Sequence, residues 1–218
     1  MIKLYGFAAS NYFNIVKHTL IAKGTDYEEV TCYPGQDPDY ESKSPMGKVP
    51  CIETEEGFLS ETSAILDYLE ERYPQTPLQP QSAFLRARAR QIIKFAELYL
   101  ELPARRHLPE FLAGAPRSDE AFQQAKPLMQ KGVRALTGLC DCTPYLIGDK
   151  LTSADIFVRY VVIVAKIVGK QIYDWNPMAD SEKLDSWYKM ISADPISQRI
   201  DSDSKAAMGE FLAYMRAR

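Results

Sequence analysis

The stretch GKVPCIETEEGFLSETSAILDYLEERY, Gly47 to Tyr73, holds the residues whose types and order best fit a small binding site. Val49 and Pro50 fall between apolar, strand-like pieces, where a proline that cannot donate to a ladder is accommodated at an edge, a bend or a cis bond. A cis bond would turn the chain so that the N–H and C=O of Val49 face outward, free to pair with an extended peptide as an added strand would. Glu61 and Thr62 come directly before Ala64, Ile65, Tyr68, Leu69 and Arg72, whose apolar members recur with helical spacing. At a helix start the free N–H groups bind a carboxylate, Thr62 adds a hydroxyl donor and Glu61 can take an ammonium group. One amino-acid head group satisfies all of them. The plainer alternative is that Thr62 or Ser60 caps the helix and Glu61 favours its dipole.

The elements that would position these residues can be read from punctuation and period. Residues 2 to 7 read as a short strand. Asn11 to Lys23 carries Ile15, Val16, Thr19, Leu20 and Ala22 at helical spacing, Gly24 stops it, and Tyr27 to Cys32 resumes as strand. After a Pro-, Gly- and Asp-rich loop from Pro34 to Asp39, strands are predicted at Val49 to Glu53 and Gly57 to Leu59, closed by the helix from Glu61. The order βαβ followed by ββα is that of a thioredoxin-like fold, an α/β domain with a right-handed crossover between its parallel strands. We place this domain at residues 1–76, a proline-rich linker at 77–81 and an all-α domain at 82–218.

Within the helical part, a first long helix starts at Ser82 and is kinked or ended by Pro103. A second runs from the Pro116 to Asp119 turn to about Leu139, with Pro127 as a local defect. In GDKLTSADIFVRYVVIVAKIVG, Thr152 and Asp155 have the spacing of a capping box, which stabilises a helix start by about 0.5–2 kcal/mol. That helix is apolar nearly all round and is predicted to be buried at the centre, with Asp155 structural. Further helices are predicted from Ser181 and from near Ser204 to Arg218.

A formal net charge of -3 argues against a dominant electrostatic affinity for nucleic acid. The cluster Arg86, Arg88 and Arg90 does not form a single stripe and reads as a solvated or subunit-facing surface. Cysteines at 32, 51, 140 and 142 lack metal-ligand spacing and read as free thiols, so no metal is expected. The opening MIKLYGF has no charged-then-apolar pattern, and the longest apolar stretch, Val158 to Val168, is interrupted by Arg159 and Lys166. A cytoplasmic protein with no membrane partner is the expectation.

A thioredoxin-like front half, the KVP turn, the ETSAI helix start and the GDKLTSAD box in a helical back half together resemble the cytosolic glutathione transferases, over nearly the whole chain. The resemblance implies a cis Pro50 and glutathione as cosubstrate. Val49 would bind its cysteinyl backbone, Glu61 and Thr62 its γ-glutamyl end, and Lys48 its glycyl carboxylate. It also implies a folding box at Thr152 and Asp155, and a homodimer. Family members place a Tyr, Ser or Cys just after the first strand to meet the glutathione sulfur. The matching segment GFAASNYFNIVKH offers Ser10, with Asn11 able to share the work through its amide; Tyr5 is the rival, though it lies inside the strand. The absence of a cysteine there departs from the members that form mixed disulfides.

A free thiol with a pKa of about 8.5 is only a few per cent thiolate at pH 7. Bringing that value to about 7 requires roughly 2 kcal/mol, which one hydroxyl donated to an anion, about 1.5–3 kcal/mol, supplies with help from a helix N-terminus. No general base is needed. His18 is therefore read as an exposed structural residue of the first helix. Tyr12, Tyr99, His107 and Phe111 are put forward as the lining for a second, apolar substrate. Cys51 reads as buried and inert.

The leading expectation is a thiolate held by Ser10 attacking a small electrophile. Peroxide or disulfide reduction and isomerisation use the same thiolate. A partner-binding protein of the same fold and a ligand carrier without turnover are the alternatives from other classes; the presence of Lys48, Glu61 and Thr62 favours ligand binding.

Overall fold

In the computed structural model, which describes residues 1–35 and 38–217, Ile2 and Leu4 are buried while Lys3 and Tyr5 are partly exposed, the alternation of a half-buried strand. This is β1 (Ile2–Gly6). At Gly6, φ is 151° and a Cβ would stand 2.4 Å from the Phe13 ring, so only glycine lets the strand end against the first helix. That helix, α1 (Asn11–Lys23), is capped by Ser10 and stopped by Gly24 in the left-handed conformation, whose N–H reaches the Ile21 and Leu20 carbonyls. β2 (Tyr27–Thr31) then pairs parallel with β1. A 3-10 turn at Pro38–Ser42 leads to the antiparallel hairpin β3 (Cys51–Thr54) and β4 (Gly57–Ser60), and α2 (Thr62–Arg72) closes the unit.

The sheet order is β2-β1-β3-β4. On one face, Ile2, Leu4 and Ile52 meet Phe13, Val16 and Leu20 of α1 and Ile65 and Leu69 of α2. On the other, Cys32, Tyr40 and Cys51 cluster with Tyr5 and Val49. This is the thioredoxin-like arrangement predicted from the element order.

The helical elements are α3 (Ala83–Ala96), a π-helical stretch Glu97–Glu101, α4 (Leu102–Arg105), α5 (Leu108–Ala113), α6 (Asp119–Leu139), α7 (Ser153–Tyr173), α8 (Glu182–Ser192) and α9 (Pro195–Arg216). Pro103 does not break its helix at once. The N–H of Leu102 reaches five residues back to Glu97, and the widened turn gives the proline ring room that an α-turn would deny it. Gly132 of α6 lies against this stretch: a Cβ there would meet the Tyr99 carbonyl at 2.8 Å. Pro127 sits inside α6 as expected.

α7 is buried from Ser153 to Val162. Its start is held by Asp155, whose Oδ2 accepts from the Thr152 N–H at 2.9 Å and the Thr152 hydroxyl at 2.7 Å. Oδ1 accepts from the Leu146 N–H and the Trp187 indole, each at 2.8 Å. The acid is wholly committed to structure.

The chain divides into two compact units, Met1–Leu78 with Pro195–Gly209, and Gln79–Asp194 with Glu210–Arg218. The first part of α9 thus belongs with the sheet, a difference from the expectation that everything beyond residue 82 forms the helical domain. The last helix also begins at Pro195, nine residues earlier than the apolar pattern near Ser204 suggests, because a proline is favoured in a first helical turn. Lys17 of α1 donates to Asp203 at 2.9 Å, fastening this segment to the sheet unit.

His18 is corrected by its burial. It is fully buried, not exposed, because α1 is enclosed on more sides than the sheet and α2 alone provide. Gln36, Asp37 and Arg218, in the expected loop and last helix, lie outside the described residues.

Candidate active site

Strand register gathers the site. Val30, Tyr5, Cys51 and Ser60 stand in one row across the four strands. One residue further on, the chain leaves β1 toward Ser10, enters β3 through Val49 and Pro50, and leaves β4 at Glu61. These three pieces therefore rise from the same sheet edge. With strands about 4.8 Å apart, the distance from β1 to β4 is about 10 Å, the reach of about three extended residues.

The middle piece is shaped by its neighbours. The Val49–Pro50 bond is cis and the Lys48–Val49 bond is not. The Lys48 carbonyl accepts from the Ser44 hydroxyl at 2.8 Å and the Tyr40 hydroxyl at 3.2 Å, both donors being buried. Since C=O and N–H point oppositely across a trans peptide, an inward Lys48 carbonyl leaves the Val49 N–H facing the other way. Among the described residues that N–H has no backbone partner. The Lys48 side chain is exposed at this edge. Tyr40 and Ser44 escaped the sequence reading, because neither lies in a periodic segment or a recognisable cap.

Glu61 is the last residue before α2, with φ 69° and ψ 112°. A non-glycine residue in so sparsely populated a region costs on the order of 1–3 kcal/mol, which the surrounding structure must over-determine. Neither Ser60 nor Thr62 caps the helix, since α2 has no side-chain cap hydrogen bond. Among the described residues no side chain caps its first N–H groups and the Glu61 carboxylate is exposed, so the capping part of the plainer alternative is not met. The Thr62 side chain lies buried beside them.

Ser10 caps α1 at the same edge, with φ -83° and ψ 120°. Its Oγ accepts from the Phe13 N–H at 3.4 Å, a bond that does not use the hydroxyl hydrogen. The loop before it is pinned by Asn14, whose amide donates to the Ala8 carbonyl at 2.8 Å. Asn11 and Tyr12 occupy the first turn. The N-termini of α1 and α2 thus share one sheet edge, and their combined dipoles favour anions there.

Tyr5, the rival for the sulfur, points its hydroxyl to Glu53 at 2.5 Å. Burial, and then this carboxylate, push its pKa up to about 12, the opposite of an activated donor. Cys51 is buried, with Sγ 3.3 Å from the Lys43 carbonyl, and burial pushes its thiol up to about 11. It is buried, as predicted. All four cysteines are free.

Of the residues put forward for a second substrate, Tyr12 and Tyr99 are partly buried and Phe111 is 44% exposed. His107 is corrected. It is 1% exposed, and its Nε2 is 2.7 Å from the Tyr173 hydroxyl, which itself donates to the Phe122 carbonyl at 3.0 Å. The imidazole thus belongs to the packing of α5, α6 and α7.

A glutathione S-transferase of Pseudomonas putida is 39% identical over 217 residues, covering 100% of this chain and 99% of the relative. The chain belongs to the glutathione S-transferase family. Residues 4–77 match the model of the glutathione S-transferase N-terminal domain. A maleylacetoacetate isomerase of Pseudomonas aeruginosa is 26% identical over 182 residues, covering 80% of this chain and 86% of that one. A solved glutathione S-transferase from Rhodospirillum rubrum F11 superposes with a TM-score of 0.77 at 24% identity, over 92% of this chain and 91% of the other, which supports the fold. Among the described residues of this transferase, no group of three or more His, Cys, Asp or Glu is placed to hold a metal, and no helix is long and apolar enough to cross a membrane.

Proposed function

We propose that this glutathione S-transferase binds glutathione across the sheet edge, holds its sulfur as a thiolate at Ser10, and directs it at a small apolar electrophile. The observation that carries the reading is the register row that puts Ser10, Val49 and Glu61 at one edge about one tripeptide wide. The outward N–H of Val49 takes the cysteinyl carbonyl. The open start of α2 and Thr62 receive the γ-glutamyl carboxylate, Glu61 its ammonium, and Lys48 the glycyl carboxylate. Ser10 donates to the sulfur from the start of α1, and Asn11 shares that role through its amide. One charged hydrogen bond of about 1.5–3 kcal/mol suffices to bring the thiol near neutrality.

Tyr12, Tyr99 and Phe111 are our candidates for apolar contacts to the acceptor. His107 is not among them. The protein acts in the cytoplasm as a homodimer in this reading, with family membership as its support. Calorimetry with glutathione and a conjugation assay with a chloronitroaromatic test the proposal together. Saturable heat with product formation supports it, and absence of heat defeats it.

The relative named maleylacetoacetate isomerase favours a second reading. A thiolate that adds to a conjugated double bond and leaves again permits rotation and returns glutathione unchanged. Net isomerisation of such a substrate without consumption of glutathione would select this reading over conjugation.

A further inference from the structure

We propose that Tyr40 and Ser44 are positioning residues for glutathione: their hydroxyls lock the Lys48–Val49 peptide so that the Val49 N–H faces the tripeptide. This deepens the glutathione reading and rests on it. Neither side chain is placed to touch the ligand; both act through one carbonyl.

The lock is complete in hydrogen-bonding terms. A carbonyl oxygen has two lone pairs, and at Lys48 two buried hydroxyls converge on it, from Ser44 at 2.8 Å and Tyr40 at 3.2 Å. The donors are themselves fixed. The N–H of Ser44 donates to the Tyr40 carbonyl at 2.9 Å, and the Ser44 carbonyl accepts from the Gly47 N–H at 2.7 Å. Tyr40 is packed with Cys32 and Cys51 against the sheet.

Without these hydroxyls little would define the peptide's orientation. It precedes β3 and joins no ladder, so no strand pairing fixes the ψ of Lys48 and the φ of Val49 about which it would turn. A half-turn of the peptide plane would bury the Val49 N–H and present the Lys48 carbonyl to the ligand's own carbonyl. An attraction would become a repulsion. The two hydroxyls thus decide whether the turn offers a donor or an acceptor to the cysteinyl group.

The test uses the full chain with glutathione, comparing Tyr40→Phe, Ser44→Ala, the double variant and Ser44→Thr. Expected are a rise of several-fold in the KM and calorimetric Kd for glutathione in each single variant and of about 10-fold in the double, the scale of one lost hydrogen bond. At saturating glutathione kcat stays within about two-fold of the parent, because the contact is made equally in ground and transition states. Ser44→Thr, which keeps the hydroxyl, retains parental affinity. In 1H–15N spectra the Val49 amide shifts on adding glutathione to the parent and not to the double variant.

Parental KM in a folded double variant overturns the proposal. So does a common fall of kcat, affinity and melting temperature that Ser44→Thr shares, which would mark a structural role alone. Should the double variant not fold, the two single variants are judged by the same criteria. If the unaltered protein gives no heat with glutathione, the site reading itself fails, and that is read before any variant is made.

Discussion

The ammonium of Lys23 lies 2.6 Å from the Glu70 carboxylate, with the lysine side chain only 1% exposed. The same ammonium donates to the Tyr73 and Thr76 carbonyls at 3.1 and 2.9 Å, and Glu70 accepts from the Leu78 N–H. One buried charge thus ties the end of α1 to the end of α2 and to the chain that leaves the unit. Lys23→Met should destabilise the protein by about 2–4 kcal/mol in urea unfolding, because Glu70 and two carbonyls lose the ammonium together. Adding Glu70→Gln should recover part of that loss. An unchanged midpoint for Lys23→Met would show the pair to be incidental.

Ser10→Ala should raise the pKa of bound glutathione by about 1–2 units. The sign follows from the donor stabilising the anion: without it the thiolate forms only at higher pH. At pH 7 the kcat/KM should fall by about 10- to 100-fold, and the gap from the parent should close as pH rises. Tyr5→Phe should leave the pH profile where it is. A parental profile in Ser10→Ala would move the role elsewhere, with Asn11 next to be tested.

The Tyr5–Glu53 bond predicts a different pH response. The tyrosine pKa is raised to about 12, so its contribution to stability is whole below the ordinary value of about 10 and is lost as pH rises through about 12. The Glu53 carboxyl is lowered, first by the tyrosine hydroxyl and then by Lys3, so its contribution is present above the ordinary carboxyl range and fades as pH falls through the lowered value. In Glu53→Gln, the Tyr5 ring resonances should titrate closer to pH 10. Titration still near 12 would mean that burial alone sets the shift.

Asp155→Ala should be among the most destabilising single changes, by about 3 kcal/mol or more, since it strands four donors around a buried helix start. Burial pushes this carboxyl up while the four donors oppose the shift. Asp155→Asn should fall between parent and alanine in thermal melts. A melting temperature within a degree or so of the parent would contradict the assignment, given the several degrees that each kcal/mol commands.

Local chemistry made much of this legible. Asn11, Lys23 and Gly24 marked the first helix because capping and left-handed glycine are decided within a few residues. Val49, Pro50, Glu61 and Thr62 were legible for the same reason: a turn proline and a helix start announce themselves in sequence. The carbonyl anchors Tyr40 and Ser44 were not, because a side chain that bonds a backbone atom four or eight residues away leaves no periodic trace. His18 and His107 were misjudged for want of tertiary knowledge. His18 lies in a helix whose residues Phe13 to Leu20 are all buried, and what engages His107 is Tyr173, 66 residues on.

The partnership of Lys17 with Asp203 spans 186 positions. On the ribosome, where segments emerge in order, the sheet and its two helices exist long before the segment that carries Asp203. The sheet unit is therefore among the last parts of the protein to be finished, although almost all of it is made first. A nascent chain arrested before residue 195 would carry a Lys17 that still lacks Asp203, and the late segment decides when that ion pair forms.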